Sequence, residues 1–254
     1  MGDTGLGQPG LQGPYGISGS EVEVTFFVPC YNEETHVQDA VEKLVRAAHE
    51  LGISHEILVF DDASTDRTLE VVRAYQGQHP DVPLRVFATA VNRGVARNFV
   101  EGAFRGRGRY YRQVCGDDVE PLETHVEILR HRGRANIIIP YFPRIIGRTS
   151  SRAVLSRFYT VLVNCVSGFS LRYYNGCPLF LRYDVLRFHV EATGFGYQAE
   201  FLARLLREGR SYIELPAVAR DREGSASLSV RNLLSVAHSL LKIGLGRMRV
   251  YFIK

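Results

Sequence analysis

VEVTFFVPCYNEE, residues 22–34, is the stretch on which the fold turns. Val24 to Val28 is a nearly continuous apolar run, the pattern of a strand buried on both faces. PCYNEE follows, where a dinucleotide-binding domain would carry Gly-x-Gly-x-x-Gly. Acids at that turn would repel a pyrophosphate, which argues against NAD or FAD, and no P-loop is present either.

Working outward, strands and helices alternate. Val37, Val41, Leu44, Val45 and Ala48 have helical spacing within 35–51. HEILVFDD (55–62) reads as a second buried strand, and STDRTLEVVRAYQGQHP (64–80) as a helix opened by a Ser or Thr cap. PLRVFAT (83–89), GVARNFVEGAFRGRG (94–108) and YYRQVCGDD (110–118) read as strand, helix and strand. Such alternation implies parallel βαβ units, a mostly parallel central sheet flanked by helices, and ligands bound beyond the carboxyl ends of the strands. Those ends are PCYNEE, FDDASTD, the segment near Asn92, and CGDDVEP, and three of the four carry clustered acids or amides.

The second half is less regular. LETHVEILRHRG (122–133) reads as a helix, NIIIPYF (136–142) as a strand, and 143–160 as an arginine-rich connector leading into a helix. Extended segments around YNGCPLFL (174–181), a helix GYQAEFLARLLREG (196–209), a strand SYIELPAVA (211–219) and a polar loop DREGSASLS (221–229) follow. Residues 230–246 form a final amphipathic helix, to be covered by the domain, a second subunit or a membrane surface. Residues 1–20, rich in Gly and Pro, read as a disordered tail, because five Gly triplets are too few for a collagen helix.

Composition bounds the function. A chain of 254 residues, 45% hydrophobic, suits one large α/β domain. Its basic side is almost all arginine, with lysine only at Lys43, Lys242 and Lys254. Guanidinium groups match phosphate oxygens, but the arginines are dispersed among acids without a nucleic-acid motif, so nucleic acid is not an expected partner. Cys30, Cys115, Cys165 and Cys177 are too widely spaced for a zinc site or a disulfide framework. The lack of a long apolar run leads us to expect a cytoplasmic protein.

Each acid cluster admits two readings. Asp61 and Asp62 end a strand and point to opposite faces, so one can meet a nucleobase while the other caps the helix beginning near Ser64. Glu33 can accept a ribose or base hydrogen bond, or act as a helix-start acid. Asp117 and Asp118 either hold a metal and a diphosphate or only end a strand. Glu200 is a candidate base, or a surface acid paired with Arg204 one turn on.

Taken in order, VPCYNEE (28–34), FDDASTD (60–66), NRGVARNFVEGA (92–103), GDDVEP (116–121), YNGCPLFLRYDVL (174–186), GFGYQAEFLARLL (194–206) and DREGSASL (221–228) resemble glycosyltransferase family 2. Within it they resemble the dolichol-phosphate mannosyltransferase-like branch, which works on polyprenyl phosphates. The resemblance implies a GT-A fold over 21–229, with a nucleotide-binding half (21–121) and an acceptor-side half (122–229). It also implies an inverting mechanism, a UDP- or GDP-sugar donor and Mg2+ or Mn2+. Pro29, Tyr31, Glu33 and Asp61 fall at the family's nucleoside-binding positions, and Arg93 and Gly94 lie in the donor-side motif NRGVARNFVEGA. Asp117 and Asp118 stand at the metal-binding Asp-x-Asp, and Gln198 and Glu200 at a sugar-site Gln-x-Glu. Arg222 and Ser225 match residues that close over donor phosphates, while Arg144, Arg148 and Arg157 fall where the branch binds the acceptor's phosphate.

Two departures qualify the match. The metal motif reads Cys-Gly-Asp-Asp, and adjacent carboxylates do not share one side of an extended chain, so Asp117 and Asp118 are expected to have different jobs, with Asp118 favoured as the direct ligand. No membrane-spanning helix follows the catalytic region, which leaves open a lipid phosphate or a soluble hydroxyl acceptor, and also a binding protein without turnover.

Overall fold

A computed structural model of the chain describes residues 22–187, 196–221 and 230–252. The tail expected over 1–20, and Arg222 and Ser225, lie outside the described residues. The chain runs β1 (Val24–Cys30), α1 (Val37–Glu50), β2 (His55–Asp61), α2 (Thr68–Gln78), β3 (Leu84–Ala88), α3 (Val95–Arg105), β4 (Tyr110–Gln113) and α4 (Leu122–Arg130). It continues through β5 (Ile137–Tyr141), β6 (Ile145–Ile146), α5 (Ser150–Ser167), β7 (Leu179–Leu181), α6 (Arg182–Leu186), α7 (Tyr197–Arg207), β8 (Tyr212–Pro216), β9 (Ala219–Arg220) and α8 (Val230–Phe252).

Seven strands form one sheet in the order β3-β2-β1-β4-β7-β5-β8. β1, β2, β3 and β4 are mutually parallel, while β7 runs antiparallel to both β4 and β5. The chain lays down β1, β2 and β3 in one direction and then returns to place β4 on the other side of β1. This reversal opens a crevice between the carboxyl ends of β1 and β4.

The apolar run of β1 has two destinations. Val24, Phe26, Val28 and Cys30 join the core under α1, α2 and α4, whereas Phe27 joins the opposite core with Phe60, Phe99 and Tyr111. The Phe27 ring meets those of Phe60 and Phe99 edge-on at 5.2 and 6.0 Å, and its burial contributes about 1.5–3 kcal/mol. At the amino end of the sheet, the buried Glu56 accepts from Thr25 Oγ1 at 2.7 Å, Arg85 Nη2 at 2.6 Å and the Arg107 backbone N–H. Burial would raise this carboxyl, but these donors hold it below the usual glutamate range.

Two local expectations are corrected. No Ser or Thr hydroxyl caps α2: Asp66 Oδ1 accepts from Thr68 N at 2.9 Å, and Ser64 Oγ is committed to the Asn32 N–H at 3.0 Å. Asp62 does not serve α2 either. Strand alternation turns it to the other face, where it accepts from Arg93 N and Gly94 N, both at 2.8 Å, and from Thr89 Oγ1 at 3.1 Å. The carboxylate thus fixes the turn into α3, whose Gly94 has φ 83°.

Candidate active site

The loops after β1 and β2 are stitched together. Asn32, at φ 59°, accepts the Thr65 N–H on Oδ1 at 2.8 Å, Glu33 N donates to Thr68 Oγ1 at 2.7 Å, and Glu34 Oε2 accepts from Arg67 N at 2.9 Å. These bonds leave Tyr31 exposed at the loop crest and bring Glu33 to the buried end of β2. There Asp61 is buried, and its Oδ1 has no hydrogen-bond partner among the described residues. A buried acceptor left without a donor is costly unless a ligand supplies one.

β4 brings the third loop to the same place. Val114 N and Gly116 N donate to Phe27 O and Pro29 O at 2.8 and 3.2 Å, prolonging the β1–β4 contact past the strand. Gly116 is packed close against β1: a Cβ there would stand 2.6 Å from Cys30 Sγ, which would have to shift. The Cys30 thiol records what surrounds it. Burial raises it well above the usual range, and the charges of Glu33, Asp61, Asp117 and Asp66 raise it further. Carboxylates from the loops after β1, β2 and β4 thus act on one buried thiol, and an acidic neighbourhood of this kind favours a cation.

Asp117 and Asp118 have different surroundings. Asp118 adopts φ 56° and its Oδ2 is ion-paired with Lys43 Nζ of α1, while its Oδ1 is buried with no hydrogen-bond partner among the described residues. Asp117 is the one whose charge reaches Cys30, Cys115 and Glu120. Asp118 thus has one carboxylate oxygen committed to α1, and Asp117 and Asp118 each keep a buried Oδ1 without a hydrogen-bond partner among the described residues. No set of three His, Cys, Asp or Glu residues among those described stands ready to hold a metal. The donor set is one carboxylate at the crevice, and Mg2+ or Mn2+ commonly takes one or two carboxylates with substrate phosphates and water. On that chemistry the residues fit a divalent ion.

A buried cluster holds this loop from below. Arg112, fully buried on β4, donates to Glu120 Oε2 and His125 Nδ1, both at 2.7 Å, and to Cys177 O at 3.3 Å. Burial pushes His125 well down, with the charges of Arg112 and Lys43 adding to it, so the ring is neutral and accepts the arginine proton. Beside it Cys115 and Cys177 are in thiol contact, and that contact, followed by burial, pushes Cys115 well up. Gln198 Oε1 accepts from Cys177 N at 3.3 Å, and Tyr197 OH donates to Gln113 Oε1. Gln198 therefore belongs to the wall at the β4 and β7 ends. Glu200 is set beside α8, with Lys242 Nζ 4.0 Å from its Oε1. Arg204 pairs with Glu208 at 3.2 Å.

The arginine connector reaches the same loop through a small sheet. β6 and β9 pair in parallel, Asp221 N donates to Ile146 O at 2.7 Å, and Arg220 N donates to Val119 O at 2.8 Å, directly after Asp117 and Asp118. Arg152 adds an ion pair to Asp221. Arg144 and Arg148, on either side of β6, and Arg157 on α5 have no acidic partner among the described residues, and Arg148 Nε is buried without an acceptor. Arg93, by contrast, pairs with Glu101 at 3.1 Å.

Sequence reasoning missed Lys43, Arg112, Glu120, His125 and the Cys115–Cys177 contact. One signal was available: in a chain that otherwise uses arginine, Lys43 and Lys242 each face a candidate site acid.

A model of the family described as "Glycosyl transferase family 2" matches residues 25–188. The chain belongs to that family. As a family 2 glycosyltransferase it is an enzyme of the nucleotide-sugar-using GT-A fold. It is 25% identical over 254 residues to a dolichyl-phosphate beta-glucosyltransferase, ALG5C, of Trichomonas vaginalis, with 91% of this chain and 74% of that one covered. It is 27% identical over 161 residues to a dodecaprenyl-phosphate galacturonate synthase of Rhizobium johnstonii, covering 62% of this chain and 47% of that one. Among solved structures, the mannosyltransferase PcManGT from Pyrobaculum calidifontis, in complex with GDP-Man and Mn2+, superposes with a TM-score of 0.63 at 19% identity, over 94% of this chain and 68% of that one. At that identity the superposition speaks to the fold, which accords with the α/β architecture expected from the strand and helix alternation.

Proposed function

We propose that this family 2 glycosyltransferase moves a sugar from a nucleoside-diphosphate donor to a polyprenyl-type lipid phosphate, with inversion at the anomeric carbon and with a divalent cation. The observation that supports the reading is that β6 of the arginine connector pairs with β9, whose Arg220 N donates to Val119 O in the Asp117–Asp118 loop. Guanidinium groups with no acidic partner among the described residues, beside an acid-lined donor crevice, suit an enzyme that must hold two phosphate-bearing substrates together. Two relatives whose names specify dolichyl- or dodecaprenyl-phosphate support the acceptor class.

Asp61 Oδ1 is the acceptor for a nucleoside N–H or O–H, with Pro29, Tyr31 and Glu33 around it. Asp117 would hold the divalent ion, which when bound neutralises charge developing on the leaving diphosphate, an effect worth several kcal/mol. Arg222 and Ser225 would close over the same phosphates, and Gln198 would face the sugar. Arg144, Arg148 and Arg157 orient the acceptor phosphate. One of its oxygens attacks the anomeric carbon from the side opposite the diphosphate, the old C–O bond breaks, and the nucleoside diphosphate departs. An anionic nucleophile needs no strong base, in keeping with Glu200 being set against Lys242.

The test is transfer from UDP- and GDP-sugars to a short-chain polyprenyl phosphate, with and without EDTA, against soluble alcohol acceptors. Metal-dependent glycolipid formation is expected. Turnover on soluble hydroxyls alone would replace the acceptor class, full activity in EDTA would remove the metal, and donor binding without turnover on any acceptor would mark a binding protein.

A further inference from the structure

Lys43 reaches the crevice because of where its helix begins. α1 starts at Val37, just past the loop after β1, so its amino end stands at the carboxyl ends of the strands. Helical side chains lean back toward the amino end, which aims Lys43 at the loop after β4. There its ammonium meets Asp118 Oδ2, with only 28% and 13% of the two side chains exposed. The same charge helps to lower His125, so Lys43 lies within electrostatic reach of the buried Arg112 cluster. A pair this sheltered is not the solvated surface contact whose net worth is small.

The pair stands beside Asp117, the residue proposed to hold the cation. Asp118 has one oxygen committed to Lys43, and its other oxygen is buried without a hydrogen-bond partner among the described residues. Recruiting Asp118 as a second carboxylate therefore means losing the ammonium, because two cations on one carboxylate repel each other. A lysine suits that exchange. Its ammonium is a compact point charge on a flexible stem, whereas an arginine would grip the carboxylate with two parallel bonds. The chain otherwise relies on arginine, and lysine occurs only at Lys43, Lys242 and Lys254. The phosphates of a nucleotide-sugar would offer the displaced ammonium another partner. We infer that Lys43 is a positioning residue that withholds Asp118 from a divalent ion until donor phosphates draw its ammonium away, so that ion and donor enter together. This deepens the metal reading given above and rests on it.

Mn2+ alone is the probe, titrated into the full chain without donor and followed by loss of the free ion's paramagnetic resonance signal. The wild type is expected to take up Mn2+ weakly. Lys43→Met should tighten uptake about tenfold, because Asp118 is released to the ion. Lys43→Gln should do the same, and it serves should the methionine variant fail to fold by melting temperature. Adding Asp118→Asn to either variant should abolish the gain, and Lys43→Arg should show none. Ion uptake thus separates Lys43→Met from Asp118→Asn, although both break one pair. A lysine that merely pinned the loop would give no gain on removal. Uptake at or below the wild-type level in both uncharged variants therefore overturns the inference, as does a gain that survives Asp118→Asn. Where transfer is metal-dependent and the gain is missing, only this inference falls. Full transfer in EDTA removes the metal reading and this one with it.

Discussion

At the scale of single residues, the divergence of Asp117 and Asp118 is the point most open to test. Asp117→Asn removes the carboxylate proposed for the cation and is expected to lower transfer by about 10³, the rate equivalent of about 4 kcal/mol. Asp118→Asn breaks the pair with Lys43, and it should cost less, with Lys43→Met reproducing its effect. Steady-state kinetics decide the assignment, and an active Asp117→Asn beside a dead Asp118→Asn would restore Asp118 as the ligand. Adjacency in the sequence showed that the two acids would differ. It could not show how they differ, because that depends on φ 56° at Asp118 and on a lysine 75 residues earlier in the chain.

At the scale of elements, the two sheet ends are fixed by buried carboxylates. Asp62 joins β2 to the start of α3, and Asp62→Ala strands two backbone N–H groups, a loss of about 2 kcal/mol measurable by urea unfolding. Glu56 joins β1, β2 and the loop before β4. Because its folded-state pKa lies below the unfolded value, its contribution is complete above about pH 4.5 and is lost as pH falls through the folded value. Glu56→Gln should therefore lower the melting temperature at neutral pH and flatten its decline in acid. The βα order of the first half was legible because β1, β2 and β4 are buried on both faces and each helix has one apolar face. The antiparallel β7 was not, since three residues between a loop and a five-residue helix leave no periodicity to read.

At the scale of the whole molecule, the donor is expected to bind the folded state together with Mn2+. At about a hundred times its dissociation constant, a cognate nucleotide-sugar should add about 2.7 kcal/mol of stability, so a thermal-shift screen with and without the ion identifies it. A shift of equal size with EDTA present would argue against joint binding. The strand-end acids made this crevice legible in the sequence. Its support was not: Arg112, Glu120 and His125 are brought together by the packing of β4 against the turn that follows it, and nothing in their spacing announces a buried ionic cluster.

The distribution of thiols gives the molecule a built-in reporter. Cys30 is buried, Cys115 and Cys177 are half-buried against each other, and Cys165 is exposed one turn beyond Val161. The raised Cys30 and Cys115 are protonated at neutral pH and slow to alkylate. A polarity-sensitive maleimide dye would therefore label Cys165 first, with no mutation, and its emission would report what approaches the carboxyl end of α5 during turnover.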